Sequence, residues 1–328
     1  MYRNLKLLVA VAMILAVAVG TAHAIPNFSA SARYLGMGDT GIALADDVSA
    51  VDFNPANLGV MSFPSLDPMV NPDAGKYWAK PVPPGSRVVN AQVMASSALS
   101  GAIDLRAGYA RVSDIDQIYK KMGLVIGWKA FSVPGDRSVD GNDPETEQIS
   151  VGYGHQYFWE HWAWGVSFAH AKTEYPTHPL AFAAEGSFYN HEITNSMNVG
   201  GLFWFPQKNA HPIRAGIVVQ DMWGNNDGPI INLGGSMPLL SDKLTVALDY
   251  NDLFSTAGSM LNVGAEYAVN RDWRVRIGDA NLLQQQDISD VFTAGVGWVH
   301  NKYKVDLCYL HLPEGLDAEW AASGSYSF

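Results

Sequence analysis

From about residue 88 onward the chain alternates. In the last ten residues, Trp320, Ala322, Gly324, Tyr326 and Phe328 fall on one side, and Glu319, Ala321, Ser323, Ser325 and Ser327 on the other. One side is aromatic or small and apolar, the other mostly small and polar. That is the period-two signature of a strand whose faces meet different surroundings. The pattern recurs upstream. Trp273, Val275 and Ile277 alternate with Arg274, Arg276 and Gly278; Leu244, Val246, Leu248 and Tyr250 alternate with Thr245, Ala247, Asp249 and Asn251. Leu261, Val263, Ala265 and Tyr267 alternate with Asn262, Gly264 and Glu266. Counting back from the C-terminus, the pattern predicts 14 strands, at about 88–97, 101–111, 119–131, 146–157, 161–173, 191–205, 211–221, 229–238, 242–251, 258–268, 272–281, 290–300, 302–312 and 319–328.

The connections alternate too. Those near 158–160, 207–210, 239–240, 270–271 and 301 are short, whereas those at 132–145, 172–190, 222–228, 252–257, 282–289 and 313–318 are mostly longer. Short turns at one end and longer loops at the other are the habit of outer-membrane barrels, with the short turns periplasmic. Trp162, Trp164, Phe203, Trp204 and Phe205, with Tyr157, Phe158 and Trp159, flank two of the short turns and read as an aromatic girdle. The expected fold class is therefore all-β: a 14-stranded antiparallel transmembrane β-barrel over residues 88–328.

The N-terminus departs from this pattern. Arg3 and Lys6 precede an apolar run over 7–19, and Ala22-His23-Ala24 supplies small residues for cleavage. Residues 1–24 read as a signal peptide, too short to span a bilayer stably. Residues 25–87 hold Pro64, Pro68, Pro72, Pro81, Pro83 and Pro84, unsuited to central strands. About 60 residues ahead of a barrel are expected to form a plug inside the lumen, plus a linker.

Composition sharpens the picture. Charged residues are 16% of the chain, against about 25% in an ordinary soluble domain. Aromatics reach 11%, and the formal net charge of −11 argues against nucleic-acid partners. A single cysteine, Cys308, excludes an internal disulfide. Export makes ATP- or NAD-dependent chemistry a poor expectation. Gly36-Met37-Gly38-Asp39-Thr40-Gly41 matches G-x-G-x-x-G, but no buried strand precedes it, so flexible turns in a small-residue plug are expected rather than a nucleotide site.

The surrounding residues carry more. Ser31-Ala32-Arg33-Tyr34-Leu35-Gly36-Met37-Gly38 runs into Ala43-Leu44-Ala45-Asp46-Asp47 and then Asn54-Pro55-Ala56-Asn57-Leu58. This stretch resembles the N-terminal hatch of the FadL-type outer-membrane transporter family, and is similar to the related PorV-type barrels of a secretion system. The segments around 247–250, 263–267 and 274–278 look more like the PorV-type branch. The resemblance implies a plugged barrel in a bacterial outer membrane, passing hydrophobic small molecules of the fatty-acid or hydrocarbon class, or else docking secretion-system proteins. The chain is shorter than typical fatty-acid transporters of that family, and so are its loops.

The candidate site residues follow. Asp46, Asp47, Asn54, Pro55 and Ala56 form the plug motif: Asn bonds local backbone, Pro fixes a turn and Ala allows close packing. Asp46 and Asp47 are expected to pair with barrel arginines, with a gating role as the alternative. Arg214, Arg274 and Arg276, with Asp249, Glu266 and Asp306, should face the lumen as a ligand site or, more simply, as ion pairs fixing plug to wall. His155, His161, His170, His178, His191 and His211 lack metal-ligand spacing, and 140–143 and 225–228 lack a full calcium series. No nucleophile-elbow motif is present. The expectation is a non-enzymatic barrel without cofactor or metal, in contact with outer-membrane lipid. A hydrophobic ligand leads as its partner, a secretion-system protein is the alternative, and a sealed structural barrel is a third reading.

Overall fold

The computed structural model describes residues 31–61, 87–96, 102–115, 118–132, 145–156, 161–175, 190–207, 210–223, 228–254, 259–280, 291–311 and 318–327. Fourteen strands make up the wall: β1 (Arg87–Ser96), β2 (Ala102–Ile115), β3 (Ile118–Ser132), β4 (Glu145–Gln156), β5 (Trp162–Tyr175), β6 (Asn190–Gln207), β7 (Ala210–Gln220), β8 (Ile230–Leu239), β9 (Leu244–Asn251), β10 (Met260–Ala268), β11 (Trp273–Ala280), β12 (Val291–His300), β13 (Tyr303–His311) and β14 (Glu319–Ser327). Each pairs antiparallel with its chain neighbours, and β1 closes on β14 from Asn90↔Ser327 to Ser96↔Ala321. Closure pairs the backbone groups of the outermost strands, the condition for a sheet in hydrocarbon. Strand ends fall within four residues of those read from the pattern, β2 differing most by running on to Ile115.

The alternation sorts the two faces. Outward residues are large, apolar and exposed: Ile126 is 56% exposed and Ile149 51%. Inward residues of the wall include Asp104, Arg106, Asp249, Glu266, Arg276 and Asp306, all buried. An apolar band outside and a polar lining inside make this a transmembrane barrel. The strands differ in length around the wall. β8 to β14 run 8 to 10 residues, close to the roughly 9–11 needed to cross a bilayer. β2 to β6 run 12 to 18.

Residues 31–61 lie inside the wall. They form two single-turn helices, α1 (Ala32–Leu35) and α2 (Ala50–Phe53), and a 3-10 turn (Pro55–Val60). Ser31 caps α1 by accepting from Arg33 N at 3.3 Å. Asn54 caps the 3-10 turn by accepting from Ala56 N at 3.1 Å, with Pro55 at the first position, where its missing N–H costs nothing. Tyr34, Met37, Val48, Val51, Leu58 and Met61 are almost fully buried and cluster with Val88 of β1 and Val125 of β3. Tyr34 meets Phe53 edge to face at 5.2 Å. This inner segment, not a sheet-on-sheet layer, is the core of the molecule.

Three expectations need correction or bounds. The glycine motif does turn, over 36–39, but tightly packed rather than flexible: Gly38, at φ +65, is wedged against the Asp279 and Val263 carbonyls, and Gly36 against Gly295. Trp204 is not in the girdle, because it takes the inward register beside Leu202 and packs on the cluster of Ala43, Ala56 and Ala163. Trp162, Trp164, Phe203 and Phe205 do face outward, and Trp162 stacks on Phe203 at 6.4 Å. The signal-peptide stretch 1–24, residues 25–30 and 62–86, the aromatics Tyr157, Phe158 and Trp159, and the acidic turn 140–143 lie outside the described residues.

Candidate functional site in the barrel lumen

The inner segment is held differently by the two sides of the wall. Toward β10–β13 close packing, with Gly264 of β10 against Met37 and Gly278 of β11 against Gly38, is joined by charged contacts. Arg33 donates through Nε and Nη2 to the two oxygens of Glu266 at 3.1 Å each, and through Nη1 to Asp46 at 2.8 Å. Glu266 on β10 also accepts from Arg276 Nε on β11 at 2.6 Å. Arg276 Nη1 lies 2.7 Å from Asp306 on β13, an ion pair outside hydrogen-bond alignment. Glu266 thus bridges an arginine of the inner segment to an arginine of the wall. Arg274, buried on the same inward face, lies within electrostatic reach of Glu266.

Three wall strands therefore supply Glu266, Arg276 and Asp306 to one network. The pattern-based expectation named these three, but placed Asp46 against barrel arginines. The structure gives Asp46 to Arg33 of its own segment, because the short connection between them folds both toward Glu266. Arg214 and Lys304 contribute to Asp46 at longer range. Burial alone would push the Asp46 carboxyl up; Arg33, Lys304 and Arg214 outweigh it and hold it at about 2. Among the described residues Asp47 makes no arginine pair: it accepts from Ser49 N at 2.9 Å, a local turn bond. Burial and the neighbouring Asp46 raise its carboxyl above the usual range.

Asp249 on β9 takes a third role. Its Oδ2 accepts from Gly41 N at 2.6 Å and Ile42 N at 2.9 Å, fixing the backbone of the inner segment rather than a charge. Gly38 N adds a bond to Thr293 on β12 at 2.9 Å.

Toward β3–β7 the contacts are neutral and very close. Asn54 donates to Ile42 O and to Gly201 O of β6, each at 3.0 Å. Wall glycines receive the segment: a side chain at Gly123 of β3 would overlap the Leu58 carbonyl, at Gly165 of β5 the Pro55 carbonyl, at Gly200 of β6 the Asn54 side chain. Glycine inside a strand marks close approach of another backbone, and here it recurs from strand to strand. Ala56 is fully buried against Ala163 and Leu202. Between the two sides, Arg106 of β2 joins Asp52 of α2 at 2.5 Å and Asp104 at 2.7 Å.

Arg33, Asp52, Asp104 and Arg106 are network members that the pattern reading left out of its candidates. Asp104-x-Arg106 repeats the signal that flagged Arg274-x-Arg276: charged residues two apart between apolar ones. Among the described residues, no group of three or more His, Cys, Asp or Glu could hold a metal ion. What the arrangement can do is hold a segment across a pore with contacts of two kinds, one titratable and one not.

No family model matches the chain, and no curated protein does. Solved structures do. A TodX variant described as a monoaromatic hydrocarbon channel aligns at 13% identity and a TM-score of 0.51, over 90% of this chain and 98% of that one. The toluene transporter TodX of P. putida aligns at 13% and 0.48, over 92% and 98%. A porin variant of Rh. blastica aligns at 11% and 0.42, over 74% and 99%. The first of these establishes a shared barrel fold.

Proposed function

We propose that the chain is a FadL-like, non-enzymatic barrel of a bacterial outer membrane, exported by a cleaved leader at 1–24, that passes small hydrophobic molecules. Residues 25–61 act as its plug, and the linker to 87 joins plug to wall. The observation that carries the reading is the asymmetric hold on the inner segment. Close contacts fix the plug on both sides, but only one side adds ion pairs, and a contact that depends on charge can let go. Arg33, Asp46 and Glu266 form the releasable contact; Asn54, Pro55 and Ala56 form the fixed one. Arg274, Arg276, Asp249, Asp306 and Arg214 are read as wall groups that receive the plug. The likeness to a hydrocarbon channel supports a hydrocarbon or fatty-acid class of cargo.

The test is entry of toluene or a fluorescent fatty acid into vesicles carrying the full-length protein. Uptake faster than in protein-free vesicles is expected, and faster still with Glu266→Gln. Uptake equal to protein-free vesicles in both would overturn the reading. The alternative is a protein-docking barrel of the PorV type. It draws on the long β2–β6 wall, whose far ends carry exposed Glu145, Glu147, Lys172, Glu174 and Glu192. Stable co-purification of a secretion or assembly protein, without uptake, would favour it.

A further inference from the structure

The outer wall carries a feature that the lumen does not use. Arg87 of β1 and Arg111 of β2 are direct cross-strand partners, and both side chains are exposed on the outward face. Like charges directly opposite each other destabilise a ladder. Neither arginine has a hydrogen bond or ion pair among the described residues. They sit at the end of the barrel where β2 and β3 join over 116–117, the short-turn end, periplasmic in such barrels. Four residues further along each strand, Ala91 and Ala107 are again partners. There the outward face carries an apolar hollow of about 800 Å³ lined by these alanines and by Gly324, Val93, Leu105 and Tyr326, among others. Four residues of strand span about 13 Å.

An arginine on the lipid face is costly at the bilayer midplane and costs little at the headgroup level. Two adjacent arginines at that level repel until an anion lies between them, and a phosphodiester matches the guanidinium fork. The hollow lies inward of the pair along the same two strands, where an acyl chain attached to that phosphate would run. Its size is within the range of small-molecule sites. We propose that Arg87, Arg111 and the hollow bind one anionic phospholipid of the periplasmic leaflet, with its phosphate between the arginines and an acyl chain on Ala91, Ala107 and Gly324. The hollow crosses the β1–β14 pairing, so the lipid spans the seam where the two ends of the wall meet. This site is independent of what passes the lumen.

The test uses native mass spectrometry of the full-length protein in mild detergent, with phosphatidylglycerol or phosphatidylcholine of the same acyl chains. Wild type should retain phosphatidylglycerol about tenfold better, the two arginines each adding to the attraction. Arg87→Gln with Arg111→Gln should abolish the preference, and Ala107→Phe should weaken retention of both lipids. Heat-dependent gel mobility checks that each variant is a folded barrel. If the double variant fails that check, Arg111→Gln alone should reduce the preference about threefold. Equal retention of the two lipids by wild type, or an unchanged preference in the arginine variants, overturns the proposal.

Discussion

Two halves of the inner segment sit in the same lumen on different chemistry. Residues 32–47 are tied to β9–β13 through Glu266, Arg276, Asp306 and Asp249. Residues 54–60 are tied to β3–β6 through carbonyl and amide bonds and through glycines that leave no room for a side chain. The charged half depends on protonation and on every partner being present. Removing one member of a buried ion network leaves an uncompensated charge and costs several kcal/mol. Both halves pack tightly on wall glycines, Gly264 and Gly278 among them on the charged side, but the neutral half depends on shape and uncharged bonds alone, and fails only when something is added or a bond is lost.

Breaking the comparison should follow that order. Glu266→Gln leaves Arg33 and Arg276 without their shared carboxylate, and the inner segment should lose about 4 kcal/mol of docking stability. Hydrogen exchange of 32–47 would read the loss. Gly123→Val forces a side chain into the Leu58 carbonyl, and overpacking of this kind costs about 3 kcal/mol. Its signature is faster proteolysis within 54–61, with 32–47 less affected. Acid should separate the halves without mutation. The Asp46 carboxyl sits at about 2 in the folded protein against an ordinary 3.8. Its contribution is full above about pH 4 and is lost as pH falls toward 2, about 2 kcal/mol in all. A pH series of exchange rates for 32–47 checks this. Asn54→Ala removes the cap and the bonds to Ile42 and Gly201, at about 1 kcal/mol, readable as a small shift in the thermal midpoint.

Much of the wall was legible because a strand with lipid on one face and a lined lumen on the other must alternate. The strands β11 and β14 show it residue by residue, and Arg274 and Arg276 could be turned inward from sequence alone. Partnership was less legible. Period two says which face a residue takes, not which strand lies across the lumen, so the pattern points Asp46 at a wall arginine although Arg33 of its own segment stands nearer. Trp204 departs from the pattern for a related reason: aromatics clustered at a turn suggest a girdle, but register turns this one inward. The glycines held an unread signal. Gly123, Gly165, Gly200, Gly264 and Gly278 each fall on an inward register, and inward glycine on strand after strand foretells a backbone running across the lumen.

The central claim is that the two halves of the inner segment are held independently, so that one can release while the other stays. It is tested most directly by hydrogen exchange of the full-length protein in lipid nanodiscs, wild type against Glu266→Gln. The account predicts that 32–47 loses protection in the variant while 54–60 keeps that of the wild type. Loss of protection in both halves together, or in 54–60 first, would contradict it.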